Sequence, residues 1–186
     1  YRRILDAMTD RLLRLEGRDF DVTPLTEETG LRASLGRSGR LWVKNETGNV
    51  SGSHKGRHLM ATLLYLEALR ELKDETTKRV LAIYSCGNAA LGAAAVARAG
   101  GYELHAFVPE DIDPKVAAML AERGTLVEKI PRASTGEGDP CYLAFRKALN
   151  QNGWLPFACA GNDNWSNIEG GATLGWEMVM QRLDRS

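Results

Sequence analysis

The chain has 186 residues, 44% of them apolar and 26% charged, and its 24 basic residues balance 24 acidic ones. That length builds one sizeable core or two small ones. A net charge of zero argues against nucleic acid or an acidic membrane as the main partner.

No apolar run approaches the roughly 18–20 residues a membrane helix needs. The mixed-charge N-terminus lacks the apolar core and small-residue cleavage site of a signal peptide. Cys86, Cys141 and Cys159 are scattered and odd in number, so a disulfide framework is not expected and a reducing compartment, the cytoplasm, is. His54, His58 and His105 fall in no zinc spacing, and no metal site is expected.

Residues 1–16 read as an amphipathic helix with Ile4, Leu5, Met8 and Leu12 on its apolar side. Residues 17–31, with Pro24, read as loop, and 40–44 as a short strand. A helix apolar on most sides follows from about Lys55 to Lys73. Strands are then expected at 79–85, 103–109, 125–130 and 155–160. Helices are expected between them at 89–101, 113–124 and 141–153. Residues 161–167 read as loop, and the last segment as a helix after a glycine-rich start. This alternation predicts an α/β fold, a parallel sheet with helices on both faces in three αβα layers. Ligands of such sheets bind beyond the carboxyl ends of the strands. The two unusual loops, 45–55 and 85–88, lie at such ends.

The familiar phosphate and nucleophile motifs are absent. NETGNVSGSHKGRH (45–58) has the wrong spacing for a Walker A loop. YSCGNAALG (84–92) has a strand–turn–helix setting but no G-x-G-x-x-G. No G-x-S-x-G centres on a serine, and no kinase H-R-D or D-F-G follows the strand LWVK. What remains is chemistry built on the amine of Lys55, placed where a flexible loop meets a helix start. A neutral lysine condenses with an aldehyde, and a helix N-terminus supplies a positive field and free N–H groups for an anion. Pyridoxal phosphate carries both an aldehyde and a phosphate. Taken alone, Lys55 reads sooner as a solvated residue behind an ordinary cap than as a reactive amine.

The larger pattern is more specific. TPL (23–25) followed by LWVKNETGNVSGSHKGR (41–57) resembles the cofactor-lysine stretch of the tryptophan synthase β family, the fold type II pyridoxal-phosphate enzymes. The family form is K-x-E-x-x-N-P-T-G-S-[FYH]-K-x-R. Lys44, Glu46, Asn49, Gly52, Ser53, Lys55 and Arg57 align with it, while Val50 replaces the usual proline and Ser51 the usual threonine. YSCGNAALG resembles the S-[ST]-G-N-x-[GA] loop, with Cys86 where Ser or Thr is usual. Pro109, Lys115 and Gly124 fit a third segment, and EGGATLGWEM (169–178) resembles the E-G-x-x-[ST]-x-G/A-x-E helix.

The resemblance implies pyridoxal 5′-phosphate as cofactor, with Lys55 forming the internal aldimine and then serving as base at the substrate Cα. It implies that Asn88 binds the cofactor's 3′-oxygen and that Ser85, Cys86, Gly87, Asn88 and Ala89 hold the substrate carboxylate. His54 either packs beside the cofactor or is a space-filling neighbour. Lys44, Glu46, Arg57 and His58 read as structural.

The family's phosphate-gripping glycine loop comes after the last matched helix, so the resemblance implies the N-terminal portion of a longer enzyme, incomplete at the C-terminus. It implies residues 1–80 as part of a large cofactor domain, 81–162 as a small mobile domain, and 163–186 as the return to the large one. The expected activity is that of a lyase or synthase on a small amino acid, by β-elimination or by replacement at Cβ or Cγ. The pairing of GSxKxR with SxGN leans it toward threonine synthase and dehydratase, with a homodimer in the full-length form. The alternative is a non-catalytic binding or regulatory module that keeps the fold and lacks the second half of the site.

Overall fold

The computed structural model describes residues 1–132, 138–159 and 164–184. Its sheet centres on β3 (Leu81–Tyr84), whose first three residues are buried. Parallel to it on one side lies β4 (Leu104–Pro109), with Leu81 opposite Leu104, and beyond that β5 (Leu126–Ile130). On the other side lies the short β6 (Leu155–Pro156), giving the order β5-β4-β3-β6. The chain thus steps outward from β3 to β5 and returns to the far side of β3. That reversal creates a switch point between β3 and β6, where a crevice opens beyond the strand ends.

The connections are helical: α4 (Asn88–Gly100), α5 (Pro114–Glu122) and α6 (Pro140–Asn152). Each helix start or stop has a local cause. Asp113 and Asp139 accept from the N–H groups of Lys115 and Cys141, each with a proline at the first helical position. Gly101 and Gly153 close α4 and α6 in the left-handed conformation.

Alternation along β3 assigns its two faces. Leu81 and Ile83 join a large core with Val96 of α4 and Val108 of β4. That core continues into α1 (Arg2–Glu16) through Met8 and Leu12, and into α3 (Lys55–Leu72) through Leu59 and Leu63. Ala82 faces the other way, into a smaller cluster with Phe107, Cys141 and Phe145 under α6. Helices therefore cover both faces of a parallel sheet, as the alternation of elements predicts.

Three expectations need correction. The segment read as loop at 17–31 holds β1 (Leu25–Glu27) and the start of α2 (Thr29–Ser34). β1 pairs antiparallel with β2 (Trp42–Lys44), and its Leu25 is fully buried. The strand read at 155–160 is shorter. Phe157 N–H still donates to Ala82 O at 2.7 Å, but Cys159 has turned toward α3, and residue 160 lies outside the described residues. The last helix, α7 (Ser166–Leu183), begins within the segment read as loop at 161–167, and the glycines read as its start lie inside it.

Those glycines set the packing of α7 on α3. A Cβ on Gly170 would stand 2.3 Å from Arg57 O and 2.7 Å from His58 Cα. Both neighbours are backbone and cannot rotate away. We expect Gly170→Ala to force α7 off α3 at a cost of about 1–3 kcal/mol. Calorimetric melting would check this, and an unchanged midpoint would contradict the close approach.

Candidate active site

The loop that delivers Lys55 is built from local polar contacts. Asn45 Oδ1 accepts from Thr47 N–H at 3.1 Å, and Asn49 Oδ1 accepts from Val50 N–H at 2.9 Å. Ser51 and Gly52 then take φ of 60° and 72°, two successive left-handed residues that turn the chain into α3. Ser53 Oγ accepts from Lys55 N–H at 3.3 Å at the helix start. The turn folds back tightly on the helix, because a Cβ on Gly56 would meet Val50 O at 3.1 Å.

The second loop, 85–88, leaves the end of β3. Ser85 Oγ accepts from Gly87 N–H at 3.4 Å, and Gly87 O takes Leu91 N–H at 3.1 Å as α4 begins. The first helical N–H groups, at 88–90, have no preceding helix carbonyl to donate to. Cys86 and Asn88 are exposed, and the Asn88 carboxamide has no partner among the described residues.

Helix packing brings the two loops to one end of the molecule. A Cβ on Gly92 would lie 3.3 Å from Gly56 N and 3.3 Å from Ser51 Oγ, and one on Gly100 would lie 2.9 Å from Leu63. Residues 56 and 63 thus run alongside 92 and 100, so α3 and α4 point the same way. Their positive ends lie together at the β3/β6 switch point. The third wall comes after β6, where the Cys159 thiol lies 3.8 Å from Lys55 O. Burial pushes that thiol up to about 11, against the opposing pull of Lys55.

Lys55 is half-buried, and its side chain has no hydrogen bond or ion pair among the described residues. His58 lies near it. Burial pushes the His58 imidazole down, and the positive charge of Lys55 and His54 adds to this, against the hydrogen bond to Asn167. That bond runs from Nδ1–H to Asn167 O at 2.8 Å, so in the neutral ring the proton sits on Nδ1 and Nε2 carries none. The His54 ring is exposed and meets His58 edge-on at 5.8 Å between centroids. The Ser51 hydroxyl is buried without a partner among the described residues.

Behind the loop is a buried charge network that the sequence signals only in part. Arg57 donates Nε and Nη2 to Glu46 at 2.8 and 3.0 Å, and its Nη1 lies 2.7 Å from Glu177 Oε2. Lys44 pairs with the same Glu177 and donates to Thr23 O and Gln181 Oε1, both at 2.7 Å. Glu46 also accepts from Asn49 of the turn at 3.1 Å and from Thr23 Oγ1. Lys44 and Glu46 therefore make no ion pair with each other among the described residues, but both bond Thr23. The network ties β2, the Lys55 loop, α3 and α7 together. Its missed members are Glu177, Thr23 and Gln181; Glu177 is the final acid of the EGGATLGWE match and Thr23 opens the TPL match, while nothing in the sequence marks Gln181. Cys159 and Asn167 were missed because nothing in their local sequence marks them.

Burial alone would raise the Glu46 carboxyl, but hydrogen bonds from Arg57, Thr23 and Asn49 overcome that and hold it at about 2, against an ordinary 4.5. A depressed carboxylate contributes stability above its unfolded value and loses it as pH falls toward the folded one. We expect Glu46→Gln to lower stability at neutral pH and to flatten the loss between pH 4.5 and about 2. Melting curves over that range would check this, and an unchanged acid slope would contradict it.

Comparisons with known proteins bear on the family and the fold. A family model described as pyridoxal-phosphate dependent enzyme matches residues 18–186. A Saccharomyces cerevisiae protein called "Putative mitochondrial cysteine synthase" is 30% identical over 129 residues, covering 69% of this chain and 32% of that protein. The solved T.th. threonine deaminase has a TM-score of 0.69 at 25% identity, over 98% of this chain and 53% of that one. Escherichia coli diaminopropionate ammonia lyase in apo form has a TM-score of 0.73 at 19% identity, over 97% and 53%. The chain spans about half the length of these solved relatives and about a third of the yeast protein.

Proposed function

Because the chain belongs to the pyridoxal-phosphate dependent enzyme family, of fold type II, we propose that it serves a lyase or synthase acting on a small α-amino acid, by β-elimination or by replacement at Cβ or Cγ. One observation carries the reading: the Lys55 amine, without a partner among the described residues, and the open start of α4 share one end of two parallel helices. The residues fit the cofactor. A primary amine without a partner among the described residues stands at the start of α3, and at the same end of the parallel α4 stands the Asn88 amide, also without a partner among the described residues.

In this reading Lys55 Nζ would hold the cofactor through its aldehyde group, and Asn88 would hydrogen-bond its ring oxygen. When bound, pyridoxal phosphate supplies an electron sink for negative charge developing at the substrate Cα. The N–H groups of the 85–89 loop receive the substrate carboxylate, an anion at a helix N-terminus. That contact would fix the substrate's orientation, and the Lys55 amine would take the Cα proton. His58, neutral and tied to Asn167 O, adds no second cation beside Lys55. The lean toward a threonine synthase or dehydratase reaction rests on the GSxKxR and SxGN pairing. A homodimeric full-length form and a reducing, cytoplasmic setting belong to the same reading. Three free thiols support the setting.

The test is α-proton exchange. The cofactor-loaded protein, in its full-length form, is incubated in heavy water with small amino acids, and deuterium at Cα is read by mass spectrometry. Exchange with at least one of them is expected. A loaded protein that exchanges none would overturn the enzyme reading in favour of a binding module.

A further inference from the structure

A second cavity, of about 560 Å³, opens beyond the ends of β3, β4 and β5, roofed by the start of α6. It begins where the 85–89 loop begins, since Ser85 and Cys86 line it. Its walls are mostly apolar: Tyr84, Phe107, Ile130 and Pro131, with the thiols of Cys86 and Cys141. Two charged residues reach it, and both are engaged. Arg132 pairs with Asp111 at 2.6 Å, and Asp139 Oδ1 caps α6 by accepting from Cys141 N–H at 2.9 Å. Burial raises the Cys141 thiol, with Asp139 and Cys86 adding to this, so it is a neutral wall. Cys86, where the family pattern has a hydroxyl, extends the weakly polar lining up to the loop itself. The volume lies within the usual range for small-molecule sites, roughly 300–1,000 Å³. It far exceeds what the side chain of serine or threonine fills.

We propose that this cavity is the specificity pocket for an uncharged, apolar side chain on the amino-acid substrate whose carboxylate is held at 85–89. The proposal rests on the reading above for the carboxylate. It replaces "small" by a definite class, amino acids that carry a leaving group at Cβ or Cγ and an otherwise uncharged aliphatic or aromatic side chain; plain apolar amino acids, which have no leaving group, bind the same pocket as unreactive probes. Hydrophobic burial then sets the preference, at about a fourfold gain in affinity per added methylene, and the described lining residues offer a carboxylate or ammonium on the side chain no buried counter-charge, since Arg132 is exposed and paired with Asp111.

Cys86 provides a readout independent of turnover. It is exposed, whereas Cys141 is buried and Cys159 partly so, so iodoacetamide should alkylate Cys86 first. The rate of that alkylation is measured against alanine, 2-aminobutyrate, norvaline, leucine, phenylalanine and glutamate, on protein with and without cofactor. Half-protection is expected at concentrations falling stepwise along the apolar series, by more than a hundredfold from alanine to phenylalanine, with glutamate no better than alanine. Ile130→Trp, a substitution at a half-buried strand end, fills the pocket and should flatten the series. Equal protection by alanine, leucine and phenylalanine in the unmodified protein, or protection by glutamate matching leucine, overturns the proposal. Borohydride trapping of the cofactor on Lys55 separates the two readings. Trapping with a flat series removes the pocket alone, and a steep series without trapping removes the enzyme reading and leaves the pocket.

Discussion

Lys55→Ala is expected to abolish covalent attachment of pyridoxal phosphate and to slow α-proton exchange by about 10²–10⁴-fold from loss of the base alone. The side chain makes no hydrogen bond or ion pair among the described residues, so melting should stay within about 0.5 kcal/mol of the parent. Lys55→Arg separates charge from chemistry. It keeps a cation at the positive ends of α3 and α4 but offers no amine that condenses with an aldehyde. Absorbance of the bound cofactor and the exchange rate check both variants. Retained exchange in either one would move the base elsewhere.

Arg57→Met is expected to have the largest effect on stability. Its side chain is 8% exposed, and the two carboxylates it joins, Glu46 and Glu177, are 11% and 15% exposed. Removing the guanidinium leaves Glu46 without a cation and Glu177 with Lys44 alone. Breaking a buried pair in this way costs about 3–5 kcal/mol, mostly the desolvation of the charge left behind. For a chain of this size that lowers the melting midpoint by roughly 10 °C. The double variant Arg57→Met with Glu46→Leu removes one orphaned carboxylate and should recover part of the loss. Calorimetry on the full cycle gives the coupling, and strict additivity would contradict the network. The expected functional consequence is a loosened Lys55 loop, since Asn49 of the turn is hydrogen-bonded to Glu46.

The α/β architecture was legible because β3, β4 and their helices carry long, unambiguous patterns. Leu81–Tyr84 is a continuous apolar run, and the alanines of α4 make a helix that packs closely on both neighbours. β1 was not legible. It has three residues beside a proline, too few for alternation to register, and pairs with another three-residue strand. α2 buries nothing, so it leaves no apolar stripe to read. The glycines at 170 and 171 resembled a flexible helix start, and only the approach of α3 gives them their place inside α7. At the site, the positions of Lys55 and the 85–89 loop at strand ends followed from local sequence. Their meeting did not, because it depends on α3 and α4 packing in parallel across Gly56 and Gly92. The partners of Lys44 and Arg57 were hidden for the same reason, since Glu177 lies more than a hundred residues away in the chain.

The most direct test of the account is borohydride reduction of the protein in the presence of pyridoxal phosphate, followed by peptide mass mapping. A single pyridoxyl-phosphate increment on the peptide containing Lys55, absent from Lys55→Ala, is the predicted result. An adduct spread over exposed lysines, or none on Lys55 in the full-length form, would contradict the assignment of that amine.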